Sequence, residues 1–142
     1  VVETPWGPFG LTICYDLRFP YLYRDIAKAG AVLAFVPSAF TVPTGKAHWE
    51  TLLRARAIEN GLWIVAPAQV GSHADGRQTW GHSLVISPWG EVVKDLGGTM
   101  PGIATVELDL KKSDSARAQI PSLEAEPDYR VDFIKTRRTD VT

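Results

Sequence analysis

Phe9-Gly10-Leu11-Thr12-Ile13-Cys14, running into Tyr15-Asp16-Leu17-Arg18-Phe19-Pro20, decides how the chain starts to fold. The first six residues are a short apolar and β-branched run, the pattern of a buried strand that ends at Cys14. A tight turn leads to Pro20, which suits a first helical position because its missing N–H would have no partner there. The helix so begun runs to about Ala29 and stops at Gly30, which can leave a helix through left-handed backbone. Ala31 to Val36 is a second apolar strand, closed by Pro37-Ser38. Strand, turn, helix and strand make an α/β unit, and a crossover of this length joins adjacent parallel strands.

Farther along, Phe40 to Lys46 reads as a loop with Pro43 and Gly45, and Ala47 to Asn60 as a helix ended by Gly61. Trp49, Leu52, Leu53 and Ala57 recur at helical spacing and should face the core. Glu50 and Arg54 stand four apart in the favourable order for a surface pair. Leu62 to Ala66 is the next strand and Gly71 to Arg77 a polar loop. Trp80 to Ser87 and Glu91 to Asp95 read as strands flanking the turn Pro88-Trp89-Gly90. Ile103 to Leu108 alternates like a strand, and Leu110 to Gln119 is a helix before Pro121. Residues 122–142 carry much charge and little periodicity. The expected division is a domain over 1–129 and a C-terminal tail over 130–142, with no internal repeat.

The totals narrow the function. Net charge is -1 and the isoelectric point about 6.3, so no basic field points to nucleic acid or an anionic membrane. Lys111-Lys112 and Arg137-Arg138 read as solvated surface, and the five Trp residues as core and interface. The longest apolar run, Ala31 to Pro37, is too short to span a bilayer. One cysteine excludes an intramolecular disulfide framework and fits a reducing, cytoplasmic compartment. Val1-Val2-Glu3-Thr4-Pro5 reads like the middle of a strand-and-turn unit, so the chain is expected to begin inside a larger protein.

Cys14 is the residue with chemistry to offer. At a strand-to-helix turn a side chain is lifted above the sheet edge, and a helix N-terminus beyond it favours a thiolate or a developing oxyanion. A thiol can attack an amide carbonyl and hold the acyl group as a thioester, splitting one hard hydrolysis into two easier steps. The plainer alternative is a small apolar residue packed in the core. The three histidines do not suggest a metal. His48 and Glu50 are two apart on a helix and point in different directions, His73 is in a polar loop, and His82 in Gly-His-Ser reads as structural. No cofactor is indicated.

Four blocks carry a resemblance. Ile13-Cys14-Tyr15-Asp16-Leu17-Arg18-Phe19-Pro20, Thr44-Gly45-Lys46-Ala47-His48-Trp49-Glu50, Arg54-Ala55-Arg56-Ala57-Ile58-Glu59-Asn60, and Gly81-His82-Ser83 with Pro88-Trp89-Gly90 resemble the nitrilase superfamily of carbon–nitrogen hydrolases, in its order and spacing. The branch looks like that of deaminated-glutathione amidases and ω-amidases. The resemblance implies an α/β fold, a four-layer α-β-β-α sandwich of which this chain is about the C-terminal half, often dimerised through helices near the elbow. It implies metal-free, cofactor-free hydrolysis of a side-chain amide on a small carboxylic acid, releasing ammonia. Cys14 would be the nucleophile and the Tyr15 backbone N–H an oxyanion donor. Arg18 would grip a substrate carboxylate, for which a guanidinium fork is well shaped, and Phe40 and Thr44 would be pocket residues.

The same resemblance also exposes gaps. The family's Glu base and Lys amine precede the elbow, and no acid or lysine here sits in a matching motif. The expected partners are therefore a small-molecule amide, the missing N-terminal half of the domain, and further copies in a homo-oligomer. For Arg18 a salt bridge with Asp16 or Asp25 is the structural alternative, and for Phe40 and Thr44 it is loop anchoring. Glu124 and Glu126 stand where the family often carries basic residues, which puts the pairing of subunits in question. The rival functions are a non-catalytic subunit needing a partner that supplies Glu and Lys, and a nitrilase or N-carbamoyl amidohydrolase.

Overall fold

The computed structural model describes residues 1–125 and 127–133. Glu126, Arg137-Arg138 and the tail beyond Phe133 therefore lie outside the described residues. β1 (Val2–Thr4) and β2 (Gly7–Leu11) form an antiparallel hairpin. A 3₁₀ turn over Cys14–Arg18 leads into α1 (Pro20–Lys28), with Pro20 in its first turn and Gly30 leaving it at φ +93°. β3 (Leu33–Phe35) lies parallel to β2, with Phe9 opposite Leu33 and Leu11 opposite Phe35. The strand–helix–strand unit therefore has the adjacent parallel strands that its sequence required.

α2 (Val42–Thr44) is a single turn that widens into a π-helical turn over Gly45–Trp49 and then α3 (Glu50–Asn60), which Gly61 ends at φ +58°. β4 (Trp63–Ala66) pairs parallel with β3. β5 (Val70–Ser72) and β6 (Gln78–Trp80) make a separate hairpin. β7 (Leu84–Ile86) and β8 (Val92–Asp95) return antiparallel, and α4 (Lys111–Gln119) follows. The main sheet runs in the order β1-β2-β3-β4-β7-β8.

Its two faces differ. Ala34, Val36, Ile64, Ala66, Leu84 and Ile86 point toward α1 and α3 and are buried in the core with Tyr23, Ile26, Leu53 and Ala57. Trp49 is buried there too, with Leu52 packed against the cluster, as their spacing indicated. On the opposite face Phe9, Phe35, Val65 and Val85 are only half-buried. They line an apolar depression of about 430 Å³ with Trp6 and with Ala104, Val106 and Leu108.

That depression explains one correction. Ile103 to Leu108 is not a strand among the described residues. The segment crosses the sheet face instead of lying along an edge, so its N–H and C=O groups meet no ladder. The alternation in its sequence is nevertheless used: Val106, Leu108 and Leu110 turn inward while Thr105, Glu107 and Asp109 are exposed. The expected strand Trp80 to Ser87 is broken in the same way for a local reason. Gly81 and His82 have φ of +72° and +54°, which no strand accommodates, so Trp80 joins the small hairpin and only Leu84–Ile86 joins the main sheet. Nor is Phe40 to Lys46 a plain loop, because helical turns begin at Val42; the α-helix proper starts at Glu50, not Ala47.

Candidate active site

The strand assignments stop short of where the ladder does. The Thr12 N–H donates to Phe35 O at 3.0 Å and the Cys14 N–H to Pro37 O at 2.9 Å. Likewise the Val36 N–H reaches Val65 O, the Ser38 N–H reaches Pro67 O, and the Gln69 N–H reaches Ser38 O, each at 2.9 Å. Cys14, Ser38 and Ala68 thus come abreast at the carboxyl ends of β2, β3 and β4, with Ser38 bridged to Ala68. A groove of about 480 Å³ opens there, and its walls include Ile13, Cys14, Ser38, Ala39, Gln69 and Ser83. Open α/β sheets receive ligands in this position, outside the carboxyl ends of their parallel strands.

Cys14 is the half-buried thiol in that groove. Its φ is +43°, in the left-handed region where a side chain other than glycine's costs about 1–3 kcal/mol and persists only when its surroundings hold it. The holding contacts surround the turn. The Asp16 carboxylate accepts the Ile13 N–H at 2.9 Å, and the Asp16 N–H returns to Ile13 O at 2.9 Å. Arg56, only 5% exposed, donates from Nε and Nη2 to Leu17 O at 3.1 and 2.9 Å and from Nη1 to Glu59 at 3.1 Å. The fully buried Tyr23 lies under the turn, its hydroxyl 2.8 Å from Thr12 Oγ1, which itself donates to Phe35 O at 2.9 Å. Burial pushes the Tyr23 phenol up to about 12, so it stays protonated and can donate to Thr12.

The other residues singled out in the sequence are distributed around this groove. Tyr15 is exposed; its N–H belongs to the second residue of the 3₁₀ turn, where such groups have no partner inside the turn. Arg18 lies between the rings of Tyr15 and Phe40, at 5.6 and 5.2 Å, with both Nη atoms 3.4 Å from His48 Nδ1. Among the described residues it meets neither Asp16 nor Asp25, so the structural salt bridge considered for it does not form. Phe40 is buried against Trp49, ring centroids 4.8 Å apart, and its carbonyl accepts the Trp80 N–H. Thr44 bonds the Thr41 hydroxyl at 3.0 Å within its own turn. Arg18 and Phe40 meet beside the elbow, and neither they nor Thr44 line the groove into which Cys14 opens.

Ser38, Ala39, Gln69 and Ser83 were not anticipated as groove residues. Ser38 and Ala39 follow β3, Gln69 follows β4 and Ser83 immediately precedes β7, and that placement beside strand ends is the signal that would have found them. Ser83 Oγ accepts the Ala68 N–H at 2.8 Å and so ties the β7 side of the groove to the β4 side. Before it, His82 is held in its left-handed conformation from several directions. Its Nδ1 is 2.9 Å from Asp95, its ring stacks on Trp80 at 4.6 Å, and its carbonyl accepts the Trp49 indole N–H at 2.7 Å. His73 Nε2 is 2.9 Å from the Thr79 hydroxyl. The histidines are thus engaged separately, at different places in the fold.

Comparison with known proteins identifies the family. The carbon-nitrogen hydrolase family pattern matches residues 1–118. A deaminated glutathione amidase from Synechocystis is 50% identical over 119 residues, which are 84% of this chain and 43% of that protein. The chain therefore spans less than half the length of that curated relative. Among solved structures, the NitFhit protein of C. elegans superposes with a TM-score of 0.78 at 48% identity, covering 87% of this chain and 30% of that one. A mutant amidase from Nesterenkonia sp. AN1, in which acrylamide has added to the active site cysteine, superposes with a TM-score of 0.64 at 33% identity, covering 80% of this chain and 43% of that one.

Proposed function

The chain belongs to the carbon–nitrogen hydrolase family, and on that premise we propose that it carries the nucleophilic side of an amidase site centred on Cys14. The observation that carries the reading is a half-buried thiol in left-handed backbone, opening into a groove at the carboxyl ends of three parallel strands. Cys14 Sγ attacks the carbon of a primary amide, and the carbonyl oxygen becomes an oxyanion within reach of the Tyr15 N–H. The tetrahedral adduct collapses by breaking the C–N bond, and ammonia leaves with a proton. Water then attacks the thioester, releasing the carboxylic acid and restoring the thiol.

Among the described residues, the walls of the groove hold no carboxylate, imidazole or amine. The proton acceptor for Cys14, the donor to the leaving nitrogen and the second oxyanion donor therefore come from outside those walls, in keeping with the Glu and Lys that the family resemblance places before the elbow. The same lining favours a second reading, a subunit completed by another chain. Mixing this chain with a separately expressed upstream segment decides it, since only a true two-chain site regains turnover without covalent linkage.

We assign the substrate class to a side-chain amide on a small carboxylic acid, supported by the likeness to deaminated glutathione amidases and by Arg18, which makes no ion pair among the described residues. In the full-length gene product, Cys14→Ala should abolish both ammonia release and the acyl adduct seen by mass spectrometry. Persistent turnover would remove Cys14 from the mechanism. Arg18→Lys should raise KM for an ω-amide acid more than for a neutral amide of the same size, because an ammonium loses the bidentate fork. Equal effects on the two substrates would leave Arg18 a structural residue.

A further inference from the structure

Arg56 is a buried cation that the chemistry above does not use. It lies on the inward stripe of α3, at 5% exposure, between Leu53 and Ala57 on one side and Asn60 on the other. A guanidinium is costly to bury, and its carboxylate partner Glu59 has a side chain 49% exposed. Its remaining hydrogen bonds converge on one acceptor, the Leu17 carbonyl in the 3₁₀ turn that begins at Cys14. Its guanidinium carbon also stands 5.8 Å from the Tyr23 ring centroid. The Tyr23 hydroxyl meets Thr12, two residues before Cys14, and Thr12 is fixed to Phe35 O of the neighbouring strand.

We propose that Arg56, Tyr23 and Thr12 form a buried relay of positioning residues that clamps the elbow on both sides of Cys14 and maintains its left-handed backbone. Thr12 fixes the entry to the turn, Leu17 O fixes the exit, and the Arg56–Tyr23 contact joins the two supports through α3 and α1. None of the three side chains lines the groove. Their loss therefore changes where Sγ stands and leaves the walls that contact a substrate in place. A displacement of about 1 Å in a reacting group can cost ~10²-fold in rate.

The inference rests on Cys14 as the nucleophile, so its test carries one readout that needs no turnover. In the full-length gene product, Tyr23→Phe removes a single hydroxyl and Arg56→Lys keeps the charge but loses the fork on Leu17 O. Trp63→Phe serves as a control, losing the indole bond to Asp109 O remote from the elbow. We expect Tyr23→Phe and Arg56→Lys to lower kcat roughly 10- to 100-fold, with KM within about twofold of its original value. They should also speed hydrogen exchange of the Cys14 N–H beyond what their loss of global stability explains. Trp63→Phe should lower the melting temperature without either effect. Should the two relay variants, like the control, lower the melting temperature without a specific change in kcat and Cys14 exchange, the clamp is overturned. If the unmutated protein releases no ammonia, the amidase reading falls, while Cys14 exchange still decides the clamp. Where Arg56→Lys fails to fold, Tyr23→Phe decides alone.

Discussion

Tyr23 shows how one buried hydroxyl links stability to pH. Its side chain is fully buried, and burial raises the phenol from 10.0 to about 12, with Asp16 adding to the rise and the Thr12 bond and Arg56 opposing it. In the unfolded chain the phenol titrates near its ordinary value. Between pH 10 and 12 the native state therefore holds a proton that the unfolded state has released. The contribution is fully present below the unfolded value and is lost as pH rises through the folded one. We expect urea midpoints measured at pH 9 and pH 11.5 to differ by more in the original protein than in Tyr23→Phe, by roughly 2 kcal/mol after conversion. Equal pH sensitivity in the two proteins would mean that the phenol is hydrated in solution. At this scale the sequence was legible for the placing of Cys14 between a strand end and a helix, which the structure reproduces with the thiol lining a groove. It was not legible for Tyr23 or Arg56, because their importance comes from what they touch across 11 and 39 residues of chain. Only the position of Arg56 on the apolar stripe, three residues after Leu53, marked it as a polar residue turned inward.

At the scale of elements, the π-helical turn before α3 is the tightest joint in the fold. Gly45 lies so close to the Trp80 side chain that an added Cβ would overlap its Cβ and ring atoms. The approach allows the next turn to bring the Trp49 indole N–H to His82 O at 2.7 Å. Gly45→Ala should therefore destabilise the protein by about 1–3 kcal/mol, the usual range for overpacking, as read from the urea midpoint. A neutral effect would show that Trp80 can move aside without consequence. The sequence revealed α1, α3, α4 and the parallel pair β2–β3, because apolar spacing, Pro20 and the two helix-ending glycines agree with one another. It misplaced the elements around residues 40–49 and 80–83. There the backbone follows contacts between distant segments, Gly45 with Trp80 and Trp49 with His82, to which local periodicity is blind.

Across the whole molecule, the sheet has one face sealed by α1 and α3 and another on which Phe9, Phe35, Val65 and Val85 remain half-buried. Among the described residues, the groove has a thiol and no acid or base in its walls. General acid–base help is typically worth 10²–10⁴-fold and one oxyanion donor ~10²–10³-fold. Residues 1–142 expressed alone should therefore release no ammonia above background from a glutamine-like amide, while the same residues within the full-length gene product should do so. Turnover by the isolated chain, abolished by Cys14→Ala, would reveal a base elsewhere in it. The family was legible from four short motifs spread along the chain. The groove was not, because its walls are assembled from the ends of separate strands.

The way those strands end has a consequence for redesign. Cys14, Ser38 and Gln69 are set in place by main-chain hydrogen bonds to Pro37 O, Pro67 O and Ser38 O, which do not depend on the side chain carried at Ser38 or Gln69 so long as it is not proline. The level at which the Cys14 thiol enters the groove is thus encoded in strand register, while the shape of the cavity is encoded in the residues attached to it. Ala39 and Gln69 line the groove, and on the proposed amidase reading their exchange should fit it to a longer or more polar amide without rewriting the scaffold that presents the thiol. A library confined to these two positions would explore substrate preference with the reacting atom held fixed.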